Sequence, residues 1–142
     1  MKNMKQYSHS EAINYLNSLI WHDSILYEIK IVRANSADQA VIIFDLIIDE
    51  ENFTRQRTKL TLNDCYLIET RMNGGVNAIS DGEMICEASA KSESPKINGV
   101  VELWEKIFRL EGLLHFSMIL ASTNSELEIV CKSITVTEDK KE

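Results

Sequence analysis

One stretch of this chain places an aromatic ring, an imidazole and a carboxylate side by side: Trp21-His22-Asp23-Ser24. An imidazole next to a carboxylate can hold a proton, orient a ligand or help coordinate a metal, because the carboxylate fixes the ring's tautomer and direction. His22 and Asp23, joined by His115 or Asp64, are therefore one candidate ligand or metal site. The same four residues also suit a structural junction. They fall where a helical pattern stops and a strand pattern starts, leaving backbone groups that His, Asp and Ser side chains can satisfy. Trp21 then reads as a plug over one end of the core, with an indole N–H that needs a nearby acceptor.

A second stretch, Asp49-Glu50-Glu51-Asn52-Phe53-Thr54-Arg55-Gln56-Arg57, turns from acidic to basic across one loop. Asp49, Glu50, Glu51 and Phe53 form a candidate partner-binding set: the carboxylates attract a basic partner and the ring supplies apolar contact. Glu83 and Glu87 are expected to share a strand face and add to the acidic surface. The formal net charge of −7 opposes nucleic acid and anionic membranes, both of which would first have to overcome repulsion. Cys65, Cys86 and Cys131 are widely spaced and read as core thiols in a reducing compartment, not as a disulfide framework or zinc site. Gly74-Gly75 lacks the following Lys-Ser/Thr of a phosphate loop. No Ser or Cys stands at a recognisable strained elbow beside a base, so the expectation is a protein that is not an enzyme and has no cofactor or metal. The N-terminus lacks an apolar leader and no apolar run reaches the ~18 residues of a span, which points to the cytoplasm.

The elements that must position these residues are legible from periodicity. Ser8 to Glu11 has capping-box spacing ahead of a helix over about Ser10 to Leu19, with Ile13, Leu16 and Ile20 on its core side. Alternation over 25–32 and a nearly continuous apolar run over 40–48 predict a hairpin, in which Asp45 lies at a wet edge or pairs with a basic side chain. Lys59 to Thr70 is a strand with a bulge at Asn63-Asp64 that shifts its inward parity. Turns at Asn73-Gly74-Gly75 and Asp81-Gly82 precede a strand over Glu83 to Ala90, and Lys91 to Asn98 is the least structured interior segment. Val100 to Leu110 is amphipathic with Gly112 as its C′ residue. Strands at 114–120, with His115 opposite the core, and at 126–136, with a bulge near Ser133, form a second hairpin.

The expected fold is one α+β domain over 1–142, with 1–7 and 137–142 frayed. It holds a mainly antiparallel, twisted sheet of about six strands, with two helices packed on one face. An exposed strand edge would permit a homodimer.

Trp21 to Ser24, Asp64-Cys65 and the closing pair Leu113 to Val136 resemble small bacterial immunity proteins of polymorphic toxin systems and their uncharacterised relatives. That resemblance implies a cytosolic, non-enzymatic protein that binds and neutralises a toxin domain.

Overall fold

Eleven elements follow one another in the computed structural model, which describes residues 2–33, 37–73 and 82–139. They are β1 (Lys2–Ser8), α1 (His9–Ser18), β2 (Ile20–Arg33), β3 (Asp38–Asp49), β4 (Thr54–Cys65), β5 (Leu67–Arg71), β6 (Glu83–Lys91), α2 (Pro95–Trp104), β7 (Leu114–Leu120), β8 (Glu126–Cys131) and β9 (Ser133–Asp139). The strands form one antiparallel sheet in the order β1-β9-β4-β3-β2-β6-β7-β8-β5. The hairpins expected from the 25–32/40–48 and 114–120/126–136 patterns are both present, as β2–β3 and β7–β8.

The sheet has nine strands where about six were expected, for two physical reasons. First, the runs over 54–71 and 126–139 each break at a single residue, Tyr66 and Lys132, beside the expected bulges. Asp64 at φ +54 marks the first break. The two runs nevertheless stay paired across it: Asn63 faces Ser133, Leu67 faces Val130, and Tyr66 N–H donates to the Val130 carbonyl at 2.8 Å. Because β4 runs into β5 and β8 into β9, the two halves of the sheet share this doubled pair and the sheet closes on itself. Second, Lys2–Ser8 is a strand where a frayed lead-in was expected, while Met1 and residues 140–142 of the expected frayed ends lie outside the described residues. β1 pairs with β9 from Lys2↔Asp139 to Ser8↔Ser133, so these two segments are held in the sheet. Backbone ladder bonds need no apolar alternation, and the polar sequence of β1 gave no sign of them.

The interior is filled by alternate side chains of the strands. Phe44, Phe116, Ile42, Leu62, Leu114, Met118, Ile129 and Ile134 are all at most 1% exposed. Helix α1 contributes Ala12 and Leu16 to this cluster, as the helix expected over Ser10 to Leu19 should. Ser8 is its N-cap but makes no side-chain capping bond, so the capping box is not formed. The other face of α1 ties into β6: Asn17 accepts from Ala90 N–H and donates to the Ala90 carbonyl, both at 2.8 Å, standing in for a missing strand.

The two helices do not share a face. Ile97 and Val100 of α2 pack with Leu110, Leu113 and Val130 in a separate cluster. Val130 points out of the barrel between the inward-facing Ile129 and Cys131, so α2 lies on the outside. Nor does α2 occupy 100–110: it starts at Pro95, within the stretch read as least structured, and ends at Trp104. Ser94 caps it by accepting from Ile97 N–H at 3.1 Å, with Pro at the first helical position, a start signal that was present in the sequence. Gly112 does take positive φ (+68), but eight residues past the helix end rather than at C′.

Where β6 meets β2, the chains approach closely. A Cβ on Gly82 would lie 2.6 Å from Ile25 Cγ2 and 2.7 Å from the Leu26 carbonyl oxygen, so only glycine fits. The turn residues Gly74, Gly75 and Asp81, and Ala34 to Ser36 of the first hairpin turn, lie outside the described residues. A register shift between Ile85 and Glu87 puts Glu83 and Glu87 out of phase, so they do not share a face as expected. Glu83 instead accepts hydrogen bonds from Ser122 Oγ (2.8 Å), Thr123 N–H (2.8 Å) and Thr123 Oγ1 (2.7 Å). Burial pushes its carboxyl up, but these bonds together outweigh burial and hold it below the ordinary value. A depressed carboxyl stabilises the fold above its unfolded pKa and loses that contribution as pH falls through the folded one. Glu83→Gln is therefore expected to lower the melting temperature at about pH 7 and to leave it nearly unchanged at about pH 3. An equal loss at both pH values would contradict the assignment.

Candidate functional site

The register of the first hairpin decides where the two candidate groups lie. Ile20 pairs with Ile47 and Ile25 with Asp45, so β2 carries extra residues between these pairs and Trp21 to Ser24 loop out as a wide bulge. Ser24, fully buried, staples the bulge: its hydroxyl donates to the Ile20 carbonyl at 2.7 Å and accepts from Ile47 N–H at 3.0 Å. Trp21 turns inward between Phe44 and Phe116, with ring centroids at 5.0 and 5.7 Å. Its indole N–H donates to the Leu16 carbonyl at 2.7 Å, one of the orphan acceptors at the end of α1.

His22 and Asp23 turn the other way. His22 Nδ1 lies 2.9 Å from Asp23 Oδ2, and the imidazole is largely exposed. Asp23 adopts φ +69, and its carbonyl accepts from Arg55 Nη2 at 3.2 Å. The start of β2 thus sits beside the end of β3 and the β3–β4 turn, which brings together residues about thirty apart in sequence. His22, Asp23, Glu50 and Phe53 line one pocket of about 290 Å³ with Ile20 and Ile47 as its apolar floor. Members of both candidate groups thus line one pocket, whereas Trp21, Asp49 and Glu51 do not.

Within the acidic loop the residues differ in role. Asp49 accepts from Glu51 N–H at 3.1 Å and from Asn52 Nδ2 at 2.8 Å, so it holds the turn. The Asn52 bond, helped by the backbone amides of Asn52 and Glu51, keeps its carboxyl below the usual range against a smaller opposing desolvation. Glu50 and Glu51 are exposed, and Phe53 ends the turn at φ +51 with 61% of its surface in solvent.

His115 and Asp64 do not join this site. Asp64 stands at the break between β4 and β5, and His115 is buried on the outer face of β7. Among the described residues, no three His, Cys, Asp or Glu side chains are grouped to hold a metal ion. Asp45 does pair with a basic side chain: it accepts from Arg57 Nε at 2.6 Å and from Tyr27 Oη at 3.0 Å, with the guanidinium 4.2 Å from the Tyr27 ring centroid. Of the thiols read as core, Cys131 is fully buried and Cys65 half-buried, its pKa pushed up by burial to about 12, whereas Cys86 is exposed.

Sequence reasoning missed one polar cluster. His115 Nδ1 is 2.9 Å from Ser94 Oγ, its Nε2 meets Glu128 Oε2, and Ser117 Oγ donates to the same carboxylate oxygen at 2.6 Å. The order Ser-His-Glu is that of an acyl-transfer triad. Here, however, Ser94 and His115 are 6% and 4% exposed, and Ser94 Oγ is engaged with Ile97 N–H. So buried and so engaged, the hydroxyl ties the start of α2 to β7 and β8 through His115 and Glu128. Its sequence trace is the alternation of His115, Ser117 and Glu128 on outward strand positions under a helix.

A larger cleft of about 500 Å³ lies towards the other end of β2, lined by Ile29, Ile31, Met72 and Leu120 among others. Of its carboxylates, Glu83 is engaged by Ser122 and Thr123 and Glu28 is exposed, whereas the smaller pocket sets an imidazole beside carboxylates. Among the described residues, no helix is long and apolar enough to cross a membrane. Compared with family models, curated proteins and solved structures, the chain matches none.

Proposed function

We propose that this chain is a non-enzymatic, cytoplasmic binding protein that engages a basic protein domain through the β2 bulge and the β3–β4 turn. A toxin domain neutralised by an immunity protein is the kind of partner meant. The observation that carries this reading is Phe53. A large apolar ring there is exposed, on backbone whose positive φ costs an L residue on the order of 1 kcal/mol. Neither feature stabilises the fold, and glycine or asparagine would make the same turn with less strain. Such a residue is explained by a contact outside the chain. Glu50 and Asp23 line the same pocket as the ring, and Glu51 is exposed in the same turn; this negative charge speeds encounter with a basic surface and selects among partners. A second reading, a small-ligand site around His22 and Asp23, rests on the pocket itself.

The test is association kinetics against basic domains encoded beside the gene. Glu50→Gln with Glu51→Gln is expected to slow association several-fold at low salt and flatten its salt dependence. Asp49 is left intact because it holds the turn. Phe53→Gly is expected to speed dissociation by about tenfold or more while leaving the melting temperature unchanged or higher. Kinetics indifferent to ionic strength and to both changes would make the loop a solvated surface.

A further inference from the structure

Leu103 and Ile107 are 75% and 71% exposed, and Phe108 43%. Ile107 N–H and Phe108 N–H both bond to the Trp104 carbonyl, at 2.9 and 3.0 Å, so the helical turn continues past α2 and these side chains lie on one stripe. The stripe is preorganised. Trp104 is held edge-on to Tyr66 at 6.2 Å and stacked on Phe108 at 5.3 Å, so its aromatic part loses little freedom on binding.

The charges beside the stripe say what covers it. Glu102 and Glu105 precede Lys106 and Arg109, all four exposed, so the segment is neutral within a chain of net charge −7. Arg109 also meets Glu111 of its own chain at 2.9 Å. A neutral segment escapes the repulsion that a net charge of −7 sets up between two copies. A two-fold axis across the stripe sets the acidic half of one segment against the basic half of the other, the self-complementarity that an isologous contact requires.

We infer that the outer stripe of α2 and its following turn, Leu103, Ile107 and Phe108, is the contact surface of a homodimer, its occupant a second copy of this chain. The surface is built from different elements than the Phe53 pocket and does not depend on it. Three exposed side chains make a small contact, at the weak end of specific interfaces.

Sedimentation velocity of the full chain, from low micromolar to near-millimolar concentration, is expected to show a monomer–dimer equilibrium. Leu103→Asp should weaken it at least about tenfold without changing the melting curve, since that side chain is exposed. Glu102→Lys with Glu105→Lys should give a monomer, and so should Lys106→Glu with Arg109→Glu. An equimolar mixture of the two double variants should form a heterodimer. A wild-type monomer at every concentration, a dimer that survives Leu103→Asp, or a mixture that stays monomeric would overturn the inference. So would a different protein occupying the stripe of a monomeric chain.

Discussion

Replacing Trp21 with alanine is expected to cost about 3–5 kcal/mol of stability, a large part of what a domain of this size has. The indole is 4% exposed and fills the space between Phe44 of β3 and Phe116 of β7. Its N–H satisfies the Leu16 carbonyl at the end of α1, so the substitution opens a cavity and orphans a buried acceptor at once. Trp21→Phe keeps most of the apolar contact and loses only the hydrogen bond and part of the volume, so a smaller loss of about 1–2 kcal/mol is expected. Urea unfolding followed by circular dichroism measures both. If the alanine variant lost no more than the phenylalanine variant, Trp21 would not be the plug that joins helix and barrel.

Removing His115 is expected to have the next largest effect, about 2–4 kcal/mol, because it is itself buried and bridges buried Ser94 to half-buried Glu128. With the ring neutral, every proton in the chain has a place. Ile97 N–H donates to Ser94 Oγ, Ser94 O–H to His115 Nδ1, and His115 Nε2–H to Glu128, which also accepts from Ser117. His115→Ala breaks the chain in the middle and leaves Ser94 without its acceptor beneath α2. Amide exchange in Pro95–Trp104 should then rise more than in β7 and β8, since the clamp holds the helix rather than the sheet. A cycle with Ser94→Ala should show a coupling of about 1 kcal/mol. Additive losses, with α2 protection unchanged, would mean that the helix is held by Ile97 and Val100 alone.

Much of the local structure was legible in the sequence. Leu114, Phe116, Met118 and Leu120 alternate inward as their spacing requires, and all are buried. Asp45, the one charge in an apolar strand, found its arginine; Trp21, a tryptophan at a helix–strand junction, found its acceptor. The bulge expected at Asn63-Asp64 is present as a break in the ladder with Asp64 at positive φ. Part of the site was also within reach. A β2–β3 hairpin necessarily lays the start of one strand beside the end of the other, which is why His22 and Asp23 meet Glu50 and Phe53. These features depend on side-chain period and on neighbours in sequence, and both are written in one dimension.

Tertiary structure alone decided the rest. The pairing of β1 with β9 joins the first and last strands through backbone groups that nearly every residue carries, so no side-chain pattern announces it. Closure of the sheet depends on two long strands staying paired across their breaks, a matter of register between residues more than sixty apart. Whether α2 covers the inner or the outer face was equally undetermined by its own amphipathicity, since an apolar stripe specifies that something must be covered but not what. Only once α2 lies over Val130 do Ser94, His115 and Glu128 meet, and only then do Leu103, Ile107 and Phe108 remain outside. A strand's parity tells which side chains leave each face, whereas the chain that arrives to meet them is chosen by the packing of the whole.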